Sequence, residues 1–581
     1  MRRMNLPRKN SSHSRLRSCA LLLVSATLAG LAGGSSASAQ EPLAARIEHA
    51  DKEPQNWLTY YGNYGAWSYS ALGQISRDNV KQLVPVWALP AGGPTNPSLR
   101  PGLEAAPLVA DGVLYLVGMQ NNVYAADAAT GKLLWNYIYK WPEGNIPGGR
   151  GARGLAMGDG LIFMGTQDSH LIALDAKTGQ EAWNVMMDDV YKCQCSITSA
   201  PLYIKGKVIT GVAGGDRPFR GYLTAVDAKT GNRLWRFYTV PEPGEPGSET
   251  WVGDSWKEGG VATWLPGSYD PELNVVYWGT GNAFPDLVGE GREGDNLYAA
   301  SLLALDPDTG KLKWYYQETP HDVYDFDSNM EPVLFDSKEG ARTRKLVLHS
   351  GKNGLAYLLD RESGKFLKVF PYAATTNWYK SLDDNGRPTE PFIPSANASN
   401  PLTCPGAAGA RNFNHSAYSP RTGWWYTSSS ELCNRFSPPA ENPRGDQNLR
   451  VGRALSPGAP PNISAFDPLT GKKQWTFATK YVNQSSLLAT AGDLIFGGDL
   501  EGEAFALDAR TGEKIWAFNT GARIDAPPVS YSVNGRQYVA IATGGGGVID
   551  QQMAMLWPET KDRLVQPSAT LFVFALPERA K

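Results

Sequence analysis

The chain has 581 residues, 42% of them hydrophobic and 19% charged, which is enough apolar material for a large core and too little charge for a disordered chain. Its 55 basic and 57 acidic residues nearly cancel, so no broad cationic surface argues for nucleic acid binding. The 62 glycines, 41 prolines and 18 tryptophans point to many short strands and turns, not long helices.

Residues 1–39 carry six basic and no acidic residues, then the apolar run CALLLVSATLAGLAG, then Ala37-Ser38-Ala39 before Gln40. This is the pattern of a secretory signal peptide with an A-x-A cleavage site. The apolar run is shorter than the roughly 20 residues a membrane span needs, so no span is expected. Residues 40–581 are then the exported, periplasmic chain, with 49 basic against 57 acidic residues, a net charge of −8. That mild acidity suits a basic protein partner and disfavours nucleic acid. Four cysteines remain, Cys193, Cys195, Cys404 and Cys433, with three possible pairings in a compartment that permits disulfides. No CxxCH occurs, so the chain attaches no c-type haem.

An eleven-residue phrase, AxDxxTGxxxW, begins at Ala125, Ala173, Ala225, Ala304, Ala465 and Ala506, with weaker copies at Leu358 and Ala417. The intervals run from 41 to 79 residues, about one four-stranded propeller blade each. Each phrase reads as a hairpin: an apolar strand ends at the Asp, the x-x-Thr-Gly turn follows, and a second strand runs toward the Trp. A large, flat indole with one N–H is suited to wedge between neighbouring blades. Eight phrases predict an all-β, eight-bladed β-propeller with Trp docking, as one domain over 40–581. The stretch Ser568–Ala575 is expected to pair with the chain's N-terminal part and close the ring. Two insertions, Phe237–Gly260 and Pro371–Arg411, are candidates for capping loops or for plain surface decoration.

Asp325 and Asp327 stand two apart in Tyr324-Asp325-Phe326-Asp327, so on an extended segment both carboxylates share a side. Like charges that close call for a cation or a shared proton, although a solvated acidic loop is the plain alternative. Other motifs accompany them: Glu104 in GLEAAPLV, Arg153 in ARGLAM, Thr198 in ITSAP, Ala213-Gly214-Gly215-Asp216, Trp264 in GGVATW, Asn282 in GTGNAFPD, Lys352 in HSGKNG and Asn412 in ARNFN.

In this order, and with this Trp phrase, the chain resembles the pyrroloquinoline quinone (PQQ) dependent alcohol dehydrogenases. The resemblance implies that Glu104, Arg153, Thr198, Gly214, Gly215, Trp264, Lys352 and Asn412 contact PQQ. It implies that Asp216, Asn282, Asp325 and Asp327 bind one metal ion, lanthanide or calcium, and that Asp325 is the catalytic base assisted by Lys352. The chemistry is coherent: three cofactor carboxylates need Arg and hydroxyl donors, and a hard cation takes oxygens from Asp and Asn. A soluble cytochrome c is the implied electron acceptor and a small-molecule alcohol the substrate. The match to the family also implies a disulfide between Cys404 and Cys433.

The departures are informative. Where the family has two adjacent cysteines, this chain has Pro147-Gly148-Gly149. Cys193 and Cys195, close to Thr198, either form a different small disulfide or stay as separate thiols. Asp216 is one methylene shorter than the family's usual Glu. Asp327 occupies the position where lanthanide members of the family carry a second Asp. Gln484 falls where methanol and ethanol enzymes have a pocket Trp, which implies a wider, more polar pocket and an alcohol larger than methanol. Two rival readings are a PQQ-dependent sugar or polyol dehydrogenase and a non-catalytic propeller scaffold of outer-membrane assembly. A late glycine run at Gly544–Gly547, six His and no GxSxG give dinucleotide, zinc and hydrolase readings little support.

Overall fold

A computed structural model describes residues 43–92, 102–143, 151–340, 342–394, 400–437, 450–545, 553–561 and 568–578; the leader and Pro147-Gly148-Gly149 lie outside them. The fold is an all-β propeller with a few short helical turns. Among the described residues the long strands group into seven antiparallel sheets of four and one of five, the fifth strand, Tyr69–Ser70, adding in parallel.

The repeated phrase explains the local geometry. In the first copy the Asp127 carboxylate accepts the N–H groups of Ala129 at 3.1 Å and Thr130 at 2.9 Å, plus the Thr130 hydroxyl at 2.8 Å. Asp175, Asp227 and Asp306 cap their turns in the same way. This side-chain cap is why the phrase needs an Asp where the first strand ends. Within a sheet, such as Leu108–Ala110, Val113–Val117, Val123–Asp127 and Leu133–Tyr137, the first three strands are mostly buried and the outer one is half exposed. The core therefore sits between the inner strands of neighbouring sheets.

The phrase's Trp and Gly meet across sheets. Trp135 donates its indole N–H to Ala176 O at 3.1 Å, Trp183 to Ala228 O at 3.0 Å, Trp235 to Pro307 O at 3.0 Å and Trp475 to Ala509 O at 3.0 Å. The same rings cover the phrase's Gly in the next sheet: a Cβ at Gly179 would fall 2.5 Å from the Trp135 ring, and one at Gly512 2.6 Å from Trp475. Trp87 covers Gly131 of the first sheet, and Trp516 donates to Leu83 O at 3.2 Å in the last. That last sheet is closed by Val84–Pro90 pairing antiparallel with Thr570–Ala575, with Trp87 opposite Val573, as expected from Ser568–Ala575.

Gly179→Ala is expected to cost about 1–3 kcal/mol, because the new methyl must enter the indole and the backbone is left-handed at φ 72°. Gly160→Ala, also left-handed but facing open space, is expected to cost only the backbone part of this, about 1 kcal/mol. Urea unfolding of the two variants measures the difference.

The insertions diverge. Phe237–Gly260 packs on the 283–299 region: Trp251 is buried with Val240, Ala283 and Ala299, and its indole donates to Leu297 O at 2.5 Å. The second insertion adds Leu402–Thr403 to the sheet formed by Leu432–Ser437 and Arg450–Leu455, and a disulfide joins Cys404 to Cys433 beside it. Among the described residues no helix is long and apolar enough to cross a membrane.

Candidate active site

The central acids sit on a braced loop between the strands Leu312–Gln317 and Val333–Glu339. Tyr324 and Phe326 stack on each other and against the buried Trp378, so they anchor the loop in the core. Asp325 and Asp327 both line a cleft, although the segment is not the extended strand on which i and i+2 share a side. Asp322 shapes the turn: its buried carboxylate accepts the N–H groups of Tyr324 at 3.0 Å and Phe326 at 2.9 Å. Burial pushes its carboxyl up to about 6 against those bonds and the nearby Arg292. Asp325 itself has a left-handed backbone, φ 63°, which a non-glycine residue adopts only when its surroundings fix it.

Lys352 enters from the turn between the strands Arg342–Ser350 and Leu355–Asp360. Its main-chain N–H donates to Asp327 O at 2.8 Å. Its ammonium lies 2.8 Å from Asp325 Oδ1 and 2.6 Å from Asp327 Oδ2. Burial opposes the charge on Lys352, but the two carboxylates outweigh burial and hold the ammonium above its ordinary value. For Asp325 burial dominates: it pushes the carboxyl well above the usual carboxylate range, Lys352 opposes this, and Asp327 and Asp216 add to it. A buried bond between His349 Nδ1 and Glu318 Oε1 at 2.5 Å, with the Ser328 hydroxyl on Glu318 at 2.8 Å, ties the two loops together behind the acids.

Asn282 meets Asp327 from the adjoining turn, donating its N–H to Asp327 Oδ1 at 3.0 Å. Close approach requires glycine here: a Cβ at Gly281 would fall 2.5 Å from Asp327 Oδ1, and one at Gly215 2.8 Å from Asn282 Oδ1. Asp216 follows Gly215, at the cleft's edge. Among the described residues no three His, Cys, Asp or Glu side chains are gathered closely enough to hold a metal alone. The Lys352 ammonium bridges Asp325 and Asp327, so a cation here would need further oxygens, such as that of Asn282.

The opposite side is cationic and flat. The Arg153 guanidinium lies 5.0 Å from the Trp264 ring centroid and donates to the Thr198 hydroxyl at 2.8 Å. Glu104 pairs with it at 3.1 Å, beneath the cleft surface. The cleft encloses about 390 Å³, and eleven residues expected from sequence line it: Arg153, Thr198, Gly214, Gly215, Asp216, Trp264, Asn282, Asp325, Asp327, Lys352 and Asn412. Glu104 acts through Arg153 and is not in that lining. Gln484, expected in the pocket, is not in the lining either; it is buried, and its amide oxygen accepts from Arg523 at 3.1 Å. That placement depends on the Arg523–Asp525 pair, which no motif announced. Sequence reasoning missed Gln194, Ser196, Arg217, Ala407, Ala408 and Arg453, all of which line the cleft. Gln194 was the silent middle of Cys-x-Cys, and Arg217 the neighbour of a noted Asp. Arg453 comes from a hairpin with no sequence signature.

Chemically, the site offers a flat indole, cations for an anionic ligand and carboxylate oxygens bridged by Lys352. Comparisons with known proteins give the family. The family model "PQQ: Glucose/ethanol/alcohol dehydrogenase, beta-propeller domain" matches residues 57–374 and 478–539. The quinoprotein alcohol dehydrogenase PedH of Pseudomonas putida is 36% identical, the match covering 96% of each chain. The lanthanide-dependent methanol dehydrogenase of Methylorubrum extorquens is 34% identical, over 89% of this chain and 91% of the relative. A solved europium-containing methanol dehydrogenase superposes with a TM-score of 0.83 at 31% identity, covering 92% of this chain and all of that one.

Proposed function

The chain belongs to the family of PQQ-dependent quinoprotein alcohol dehydrogenases, and on that premise we propose that it oxidises primary or secondary alcohols larger than methanol to aldehydes or ketones. The observation that carries the alcohol-oxidising reading is the Asp325–Lys352 bond at 2.8 Å in the same cleft as Trp264 and Arg153; the preference for alcohols larger than methanol rests on the family resemblance at position 484, whose side chain is outside the cleft lining. The residues lining the cleft suit PQQ: Arg153, Arg217, Arg453 and the Thr198 hydroxyl would answer its carboxylates, Lys352 its quinone oxygens and Trp264 its ring. Asp216, Asn282, Asp325 and Asp327 would hold the cation. PQQ with that cation supplies a polarised quinone able to accept a hydride equivalent from the alcohol carbon.

Everything else is work for the chain. Asp325 accepts the hydroxyl proton; Lys352 engages Oδ1, which leaves the proton to Oδ2. Lys352 bonds both carboxylates, so it fixes their separation and orientation before substrate arrives. Asp322, through its two backbone bonds, keeps Asp325 in its left-handed position. The aromatic anchors Tyr324, Phe326 and Trp378 keep the loop from yielding when the charge changes.

The N-terminal leader supports export to the periplasm, the net charge of −8 after its removal supports a basic cytochrome c as acceptor, and the repeats support eight blades tied by Trp. For the metal, Asp327 favours a lanthanide, since a trivalent ion gains more from an added carboxylate. The second reading, a sugar or polyol dehydrogenase with the same cofactor, draws support from Gln194, Arg217 and Arg453, which give the cleft a polar lining.

Arg153→Ala is expected to weaken PQQ binding about 10–100-fold, the value of a charge-assisted contact, and Trp264→Ala about tenfold through lost stacking. Absorbance titration of the apoprotein measures both. Unchanged affinity in either removes that residue from the site.

A further inference from the structure

The segment Cys193-Gln194-Cys195 has no part in the chemistry assigned above, yet it borders the cleft. A short helix, Val190–Cys193, is capped by the Asp189 carboxylate, which accepts the Tyr191 N–H at 3.0 Å. It stops at Gln194, whose backbone is left-handed (φ 51°, ψ 28°) and whose N–H returns to Val190 O at 2.9 Å. A disulfide joins Cys193 to Cys195 across this one residue. Both sulfur-bearing residues are buried, whereas Gln194 between them is exposed and lines the cleft.

Two halves of the site meet at this ring. On one side, Ser196 and Ala213 exchange both main-chain hydrogen bonds, at 3.1 and 2.8 Å, which pairs the ring's strand with the turn carrying Gly214, Gly215 and Asp216. The packing is close: a Cβ at Gly214 would fall 3.2 Å from Cys195 Cα and 3.4 Å from Gln194 O. On the other side, Arg153 donates its N–H to Thr198 O at 3.0 Å and its guanidinium to the Thr198 hydroxyl at 2.8 Å. The Ser169 hydroxyl, donating to Cys195 O at 2.8 Å, fixes the ring from behind.

We propose that the Cys193–Cys195 ring is a positioning element of the cofactor cleft, holding the Gln194 amide in the wall and clamping the anion-binding segment 196–198 to the cation-side turn 213–216. The proposal rests on the reading that the cleft takes PQQ. A non-glycine residue in left-handed backbone at an exposed loop tip is not self-sustaining. A crosslink across that residue removes its alternatives, so the ordering cost of binding is met before the ligand arrives. Gln194 then presents an amide N–H₂ suited to a carboxylate-bearing ligand.

The test uses purified full-length apoprotein titrated with PQQ in the presence of lanthanum or calcium, followed by absorbance, with the apoprotein melting temperature measured in parallel. Cys193→Ser/Cys195→Ser is expected to bind PQQ about tenfold more weakly while its melting temperature stays within about 3 °C of wild type. Gln194→Ala is expected to lose about threefold, the part owed to the amide. Equal PQQ affinity in wild type and the double variant overturns the proposal, as does a weakening matched by general destabilisation. Should the double variant fail to fold, holoprotein is treated with a phosphine, which converts the disulfide to two thiols and itself becomes phosphine oxide. Mass spectrometry after alkylation shows that 193–195 has opened with 404–433 intact. Faster PQQ release supports the proposal, and an unchanged release rate overturns it. A wild-type protein that takes up no PQQ brings down the functional reading and this proposal with it, whereas wild-type uptake matched by the variant brings down the ring alone.

Discussion

Asp325→Asn is expected to lower kcat by about a thousandfold while PQQ binding stays close to wild type, as befits loss of a general base. Asparagine keeps the side-chain shape and still offers an oxygen to Lys352, but it cannot take up the hydroxyl proton. The left-handed backbone at 325 tolerates asparagine better than most residues, so the loop is preserved. A pH profile adds a second check. Burial sets the Asp325 carboxyl well above the usual carboxylate range, and the base must be ionised to work. Activity of wild type therefore falls as pH is lowered and the carboxyl takes up its proton, and Asp325→Asn removes that limb. Steady-state kinetics with a dye acceptor measures both, and a variant retaining a tenth of wild-type kcat contradicts the assignment.

Asp327→Ala is expected to weaken lanthanide binding by about tenfold or more and calcium binding by less, because a trivalent ion gains more from each carboxylate than a divalent one. Lys352 lies 2.6 Å from Oδ2 and the Asn282 N–H binds Oδ1 at 3.0 Å, so the carboxylate is held in the cleft and a bound ion would compete with the ammonium for it. Europium luminescence titration of PQQ-loaded wild type and variant gives the affinity directly, and activity with lanthanum or calcium gives the consequence. Full activity with calcium alone, unaffected by Asp327→Ala, contradicts the lanthanide reading.

Much of this was legible because it was local. The Asp of each phrase caps its own turn within three residues, so the hairpins follow from spacing. Asp325 and Asp327 share a cleft by a less local route than the extended spacing suggests, a left-handed turn at Asp325 with Tyr324 and Phe326 packed on Trp378. What escaped the sequence was non-local. The Trp was expected to wedge between blades, but that its receiver is the Gly of the next phrase emerges only when sheets are placed side by side. Gln484 is claimed by Arg523, some forty positions along the chain. Arg453 reaches the cleft from a hairpin tethered through Cys433. Asp322 was one more acid in HDVYDFD until its two backbone bonds showed that it shapes the loop. The pairing of Cys193 with Cys195 was an open choice, since it accompanies a left-handed turn at Gln194 that nothing in glutamine declares.

The most direct test of the account is reconstitution. Purified apoprotein is given PQQ with calcium or a lanthanide, and reduction of an artificial dye is followed across primary and secondary alcohols, sugars and polyols. The account predicts alcohol-dependent dye reduction that requires both PQQ and metal, strongest with alcohols larger than methanol. Absence of PQQ uptake, together with no dye reduction by any substrate, would identify the propeller as a scaffold without chemistry and contradict it.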